Sequence, residues 1–319
     1  FEIVREEAKG DREKQSRLLD PYDISYVLKN NKGSEAIRSL AIDVSTIKEL
    51  QLHPKVFAKM NKLRYLDIYS NGYSYDFLRS RGGLNLSQGL EYLPNELRYL
   101  RWARFPLESL PCSFSGENLV VLDLQYSRVR KLWHDDHKED KRRVAFWNCL
   151  KLDQHSLKAI GLNAQINIKK FARQHISISR DHDDYDAQGT YVYPGSSVPE
   201  WLVYRTTHDY MTIDLSFMNH SSQLGFIFCF IVPPVPSQGS ILRFNISVDE
   251  GDDSQLHLDR TSREIKSDHV YLVSDRGFSR YLNSRVKVQP RGTTSSNLFQ
   301  SISSTLAAST SMVSFVAKP

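Results

Sequence analysis

Cysteine is scarce in this chain of 319 residues: only Cys112, Cys149 and Cys229 are present, odd in number and far apart. They make no disulfide framework and fit a reducing compartment. No apolar run is long enough to span a bilayer, which takes about 20 residues; the best one, Gly225 to Val232, stops at Pro233-Pro234. Neither sign of charge dominates, since 42 Lys and Arg oppose 37 Asp and Glu for a net +5. That balance argues for neither a nucleic acid nor a membrane surface as partner. No secretory leader is expected, because Phe1-Glu2-Ile3-Val4-Arg5-Glu6-Glu7 is charged. Sequons at Asn85, Asn219 and Asn245 are short enough to arise by chance. The expectation is a soluble intracellular piece of a longer protein. What is present suffices for packed cores: 40% hydrophobic and 11% aromatic residues, in a length that suits about two domains.

One pattern occurs twice between Leu97 and Trp133. Leu97-x-x-Leu100-x-Trp102 leads into Leu107-x-x-Leu110-Pro111, and Leu119-x-x-Leu122-x-Leu124 leads into Val129-x-x-Leu132. The last two anchors of each copy are two apart, which is strand spacing and puts both on one face. A unit of roughly 20–29 residues carrying L-x-x-L-x-L marks a leucine-rich repeat. Ile37-x-x-Leu40-x-Ile42 and Leu63-x-x-Leu66-x-Ile68 are earlier copies. Asn71 stands where a side-chain amide can tie successive turns together, and Asn71 to Ser87 reads as an inserted loop. Four copies exceed the minimum of about three that a continuous repeat core needs.

Around this array the chain changes character several times. Arg5 to Arg17 is a charged surface run; Asp20-Pro21 starts a short helix with Ile24, Val27 and Leu28 on one face, closed by Asn30-Asn31-Lys32-Gly33. Pro54 opens a predicted one- or two-turn helix in which Phe57 and Met60 share a face. After Trp133 the pattern stops at His134 to Arg143, a run of balanced charge that reads as a solvated linker. Phe146 to Leu152 restores one strand-like turn, and Leu157, Ile160, Ala164, Ile168 and Phe171 step as an amphipathic helix. From Thr190 the period becomes two, as in Met211, Ile213, Leu215 and Phe217, in Phe244, Ile246 and Val248, and in Val286 and Val288. Leu224 to Val232 reads as a central strand buried on both faces, and Val270 to Val273 as another strand. Short strands separated by turn residues predict a β-sandwich, and Gly292 to Ser311, rich in Ser and Thr, reads as a poorly ordered tail.

Several sites of chemistry compete for attention and fail on spacing. His134 and His137 have no further Cys or His to complete a metal site. Asp181, Asp183, Asp184 and Asp186 lack the glycine and closing glutamate of a calcium loop. Gly195-Ser196-Ser197 lacks the second glycine of a nucleophile elbow, so the chain is not expected to be an enzyme.

The phrases of the whole chain resemble plant intracellular immune receptors of the Toll/interleukin-receptor, nucleotide-binding, leucine-rich-repeat (TIR–NB–LRR) class. Glu2 to Leu28 and Asn31-Lys32-Gly33 look like the end of the nucleotide-binding region and its winged helix (1–33). Ala36 to Ser45, Phe57-Ala58-Lys59-Met60, Leu93-Pro94 to Trp102, Pro106 to Pro111 and Lys131-Leu132-Trp133 look like its repeats (34–133). A charged junction (134–145) and a last repeat-like turn with a connecting helix (146–180) follow. Phe146-x-Asn148-Cys149-x-Lys151-Leu152 and the marker phrase Pro194, Gly195, Pro199, Glu200, Trp201 look like the family's post-repeat domain (181–291), a jelly-roll or immunoglobulin-like sandwich, with a tail at 292–319. The implied fold is an α/β leucine-rich-repeat solenoid of about four to five repeats followed by an all-β sandwich. Family members carry many repeats where the charged run alone stands here, so the chain reads as an internally deleted receptor or a joining of distant exons. No G-x-x-x-x-G-K-[ST] phosphate loop and no TIR domain are present, so the family's ADP/ATP binding and NAD cleavage have no residues here.

The resemblance implies recognition of a pathogen effector or a guarded host protein, packing against the nucleotide-binding domain in the full-length family, and a cytoplasmic or nuclear location. No cofactor, nucleic acid or membrane is expected. Within the array, partner contacts are expected at strand positions between the anchors: Tyr65, Asp67, Tyr69, Tyr99, Arg101, Asp123 and Gln125. Trp201 reads as core. Two alternatives stay open: a truncated, non-functional receptor-like piece, or a carbohydrate- or lipid-binding sandwich in which Tyr191, Tyr193 and Tyr204 stack on ligand.

Overall fold

A computed structural model describes residues 15–47, 50–70, 84–132, 143–174, 188–206, 225–234, 243–247, 253–257, 264–277, 279–280, 302–304 and 313–318. It is mostly strand with few helices, and the chain divides into two compact units, Phe1–Ala159 and Ile160–Pro319. The predicted strands at 211–217 and 286–288, the tie at Asn71, the histidines at 134 and 137, and the acidic run 181–186 lie outside the described residues.

The first unit is built on a parallel ladder. Its strands are β1 (Arg17–Leu18), β2 (Ser39–Asp43), β3 (Leu50–Gln51), β4 (Tyr65–Tyr69), β5 (Leu84–Asn85), β6 (Tyr99–Trp102), β7 (Val121–Asp123) and β8 (Arg143–Ala145). Six of them pair in the order β1-β2-β4-β6-β7-β8, all parallel, while β3 and β5 pair separately. The register aligns Leu18, Leu40, Leu66, Leu100, Leu122 and Val144 in one column, each at most 6% exposed. Fully burying one such side chain stabilises by about 2 kcal/mol, so the column is a main source of stability. The same backbone bonds recur at each strand entry. The carbonyls of Ser16, Arg38, Arg64 and Arg98 each accept two consecutive N–H groups of the next strand, and that of Val120 accepts from Arg143. The outer anchors Ile37, Leu63, Leu97 and Leu119 are all buried, as the spacing requires.

Three expectations change in this unit. The ladder begins at Arg17–Leu18, before residue 34, and it does not stop at Trp133. Arg143–Ala145, read as part of a charged junction, forms β8 in register with β7. Val144 falls 22 positions after Leu122 and fills the leucine place, so β8 keeps the ladder's own period. The strand therefore precedes Phe146 to Leu152, and that stretch turns away with Asn148 at φ 54°. The segment after Pro54 is a chain of turns, with Val56, Ala58 and Met60 each bonding three residues back, which still buries Phe57 and Met60 completely. The ring of Phe57 meets Trp102 edge-on at 6.2 Å, and Trp102 meets Phe105 at 5.0 Å. Helix α1 (Pro21–Lys29) forms as read: the Asp20 side chain accepts from Tyr22 and Asp23, and Asn31 at φ 50° lets Lys32 N–H close on Val27.

Helix α2 (Gln154–Gln174) starts where Asp153 accepts from Ser156 N–H at 2.7 Å. Ile160, Ala164, Ile168 and Phe171 are buried on its apolar side. The second unit adds β9 (Gln188–Pro194), β10 (Tyr204–Thr206), β11 (Gly225–Val232), β12 (Arg243–Ser247), β13 (Asp253–His257), β14 (His269–Asp275), β15 (Ile302–Ser304) and β16 (Val313–Lys318). Antiparallel pairing runs β9-β14-β11-β16-β10, and β12 pairs with β13 and β15. Every residue of β11 is buried, with β14 and β16 on its two sides, which explains a strand apolar on both faces. Phe226, Phe228 and Phe230 stack along one face at 6.5 and 6.4 Å. The polar stretch Gly292 to Ser311, read as poorly ordered, supplies β15, and β16 follows it, because β12 and β11 offer them backbone partners that outweigh a weak local pattern. Gly189 is required by packing: a Cβ there would stand 2.9 Å from the Phe171 ring.

Candidate interaction face of the parallel ladder

The side chains between the leucine anchors come together on one face of β4, β6 and β7. Parallel register sets Tyr65 beside Tyr99, Asp67 beside Arg101, and Arg101 beside Asp123. Neighbouring strands are about 4.8 Å apart, so planar rings at equivalent positions can lie flat on each other. The rings of Tyr65 and Tyr99 do so, with centroids 4.4 Å apart and planes 18° from parallel.

Beneath this stack lies a buried carboxylate. Asp67 is 4% exposed and accepts three hydrogen bonds. Arg101 donates Nε–H to Oδ1 at 2.6 Å and Nη2–H to Oδ2 at 2.7 Å, and the Tyr65 hydroxyl donates to Oδ2 at 3.0 Å. The guanidinium also rests over the Tyr69 ring, 5.1 Å from its centroid. Burial lifts the Tyr65 hydroxyl well above the usual phenol range, and the Asp67 charge and hydrogen bond add to the effect. Tyr99 is raised too, first by burial. Burial opposes the Arg101 charge, but the bonds and field of Asp67 outweigh it and leave the guanidinium more firmly protonated. Asp123, 3% exposed, is occupied in the same way: Gln125 donates its backbone N–H to Oδ1 and its side-chain amide to Oδ2, both at 3.2 Å.

All seven anticipated positions thus lie on this face, but in two layers. Tyr65, Tyr69, Tyr99, Arg101 and Gln125 are half-buried, whereas Asp67 and Asp123 are covered and hold their neighbours in place. Register also adds Ser39, Val121 and Arg143 to the row of Tyr65 and Tyr99. The spacing of 22 from Leu119-x-x-Leu122-x-Leu124 to Lys141-x-x-Val144-x-Phe146 was the signal for Arg143, masked by loss of leucine. Arg104, Tyr126 and Asn148 recur at the same period just past the strands, all with positive φ of 61°, 60° and 54°. At the next turn Cys149 bonds the Leu124 carbonyl at 3.0 Å and lies 3.3 Å from the Ser127 hydroxyl. Burial there pushes the thiol up to about 11, so it is a packed thiol rather than a nucleophile.

The marker phrase of the second unit is structural in part. Gly195 N–H bonds Asp268 O, and a Cβ on Gly195 would stand 3.0 Å from Val270. Pro194 ends β9, opposite His269. Pro199 O accepts from Leu202 N–H and from Arg205, and Glu200 is exposed. Trp201, read as core, is half-buried instead, with Lys169 4.4 Å above its ring; Val198 and Leu202 take the core places. Tyr191 and Tyr193, offered as sugar-stacking residues, are 1% and 7% exposed, so the strand's inward face absorbs them. Among the described residues no cluster of His, Cys, Asp and Glu could hold a metal ion, and no helix is long and apolar enough to cross a membrane.

No family model matches the chain. Among curated proteins it is 37% identical over 157 residues to disease resistance protein RPV1 of Vitis rotundifolia, which covers 44% of this chain and 11% of the relative. It is 35% identical over 167 residues to disease resistance-like protein DSC1 of Arabidopsis thaliana, covering 48% and 13%. With disease resistance-like protein CSA1 of Arabidopsis thaliana it shares 39% over 141 residues, covering 44% and 12%. The chain therefore spans between 11% and 13% of the length of these three relatives. Over close to half of its length, the chain is thus similar to segments of plant disease resistance proteins.

Proposed function

We propose that this chain is the recognition part of an intracellular plant immune receptor, binding a pathogen effector protein or a guarded host protein through the side-chain face of β4, β6, β7 and β8. In this reading the parallel ladder is a short leucine-rich-repeat solenoid, and the antiparallel strands form the jelly-roll or immunoglobulin-like sandwich that follows it. Residues 1–33 would adjoin the nucleotide-binding region of a longer protein, where ADP or ATP and signalling activity reside, and the site of action would be the cytoplasm or nucleus.

One observation carries the proposal. A row of tyrosines and an arginine is held side by side at half exposure on adjacent parallel strands, with the buried Asp67 satisfied by donors of the face itself. Tyr and Arg are the residues that most often dominate binding energy at protein interfaces, and fixing them beforehand lowers the entropy cost of association. Disease-resistance relatives support the setting. The test is co-expression of the chain with candidate effectors followed by pull-down. Replacing Tyr69, Tyr99, Arg101 and Gln125 together with alanine should abolish capture of an effector that the native chain retains. Retention undiminished by those four changes would refute the assignment of the face.

A further inference from the structure

We infer that Arg101 is the specificity-determining residue of this face, and that its free edge takes a carboxylate from an acidic side chain of the protein partner. This rests on the proposed recognition role and adds the chemistry of the contact. A guanidinium offers five N–H donors in a planar fork. Asp67 takes one side of it, the Nε–H and one Nη2–H. The opposite, end-on edge formed by Nη1 and the second Nη2–H has no hydrogen-bond acceptor among the described residues. That edge is the second bidentate site of the fork, and a carboxylate matches it in width and charge.

Three features make the edge a prepared site. The Arg101 side chain is 32% exposed, so it is reachable, yet Asp67 and the Tyr69 ring fix its plane. Both acids under the face have their oxygens engaged by donors of the face itself, Asp67 by Arg101 and Tyr65, Asp123 by Gln125. They are 4% and 3% exposed, whereas the Arg101 side chain is 32% exposed, so of this acid–base set the positive group is the one within reach of a partner. Finally, the stacked Tyr65 and Tyr99 rings set apolar surface near the guanidinium, suited to an aliphatic residue next to the acid. Asp67 is accordingly a positioning residue, acting on a partner only through Arg101 and Tyr65.

The probe is a displayed library of random peptides, selected on the full chain and then tested against variants. Arg101→Gln alone leaves Asp67 buried and unpaired, so the main variant is Arg101→Gln with Asp67→Asn, which keeps the site neutral and hydrogen-bonded. Peptides that need the face, shown by loss on Tyr99→Ala and Tyr69→Ala, should be enriched in Asp or Glu. They should lose about tenfold or more in affinity on the double variant. Changing the peptide's acid to its amide should cost the same factor on the native chain and nothing further on the double variant. Face-dependent peptides indifferent to Arg101, or losses that simply multiply, would overturn the carboxylate assignment while leaving the face as a binding surface. Recovery of no peptide sensitive to Tyr69, Tyr99 or Arg101 would overturn both.

Discussion

Removing either partner of the Asp67–Arg101 pair should have unequal effects, and the inequality follows from where each group sits. In Arg101→Ala the carboxylate stays behind, 5% exposed at its side chain, with only the Tyr65 hydroxyl as donor. Stripping the partner from a fully buried ion costs roughly 3–5 kcal/mol. Because the guanidinium is a third exposed, part of that interaction is already screened, and about 2–3 kcal/mol is expected. In Asp67→Ala the remaining Arg101 can turn its head into water along its long stem, so the loss should be about 1 kcal/mol. Both figures include the lost charge-assisted bonds, so the Arg101→Ala/Asp67→Ala double variant should cost less than the sum, with a coupling of about 1–2 kcal/mol. Because the chain has two compact units, a single melting curve would mix them. Hydrogen exchange of the β4, β6 and β7 amides isolates the ladder. Asp67→Ala as damaging as Arg101→Ala, or strict additivity in the double variant, would refute the description of Asp67 as the buried hub.

Other outcomes follow from single positions. Val144→Asp places a charge in the buried column and should destabilise the ladder by several kcal/mol in the same exchange measurement; a linker at 143–145 would tolerate it. Gly189→Ala forces a methyl against the Phe171 ring and should lower stability of the second unit by about 1–3 kcal/mol in a urea titration. Burial holds His269 neutral, lowered from 6.5 to about 4, with its Nδ1 set 2.7 Å from the Ser267 carbonyl to donate. The unfolded chain then takes up a proton below about pH 6.5 that the folded one refuses. Stability of the second unit should therefore fall as pH drops from 6.5 to 4, by roughly 3 kcal/mol, and His269→Gln should flatten that slope. Thiol labelling of the native chain should modify exposed Cys112 quickly, and buried Cys149 and Cys229 only after denaturant is added.

The parallel ladder was legible wherever leucine marked it. Leu40, Leu66, Leu100 and Leu122 are spaced by strand geometry, and only burial of one face accounts for such spacing. The same reading set Tyr65, Asp67, Tyr69, Tyr99, Arg101, Asp123 and Gln125 on one side of the ladder, because alternation assigns sides without reference to neighbours. It lost the strand at Arg143–Ala145, since valine and phenylalanine replaced the leucines and the preceding charges drew attention to solvent. It also lost β15 and β16, whose existence depends on partners far away in sequence.

Period and apolar anchoring, by themselves, determined that this chain folds as successive parallel strands with a common polar face, followed by a region of alternating strands. Tertiary structure alone decided how that face is built. A sequence pattern says that Asp67 and Arg101 point the same way; only the register between strands 34 residues apart brings them within 2.6 Å. That meeting turns two apparent contact residues into a buried support and an open fork, a distinction that depends on distance and burial rather than on residue type.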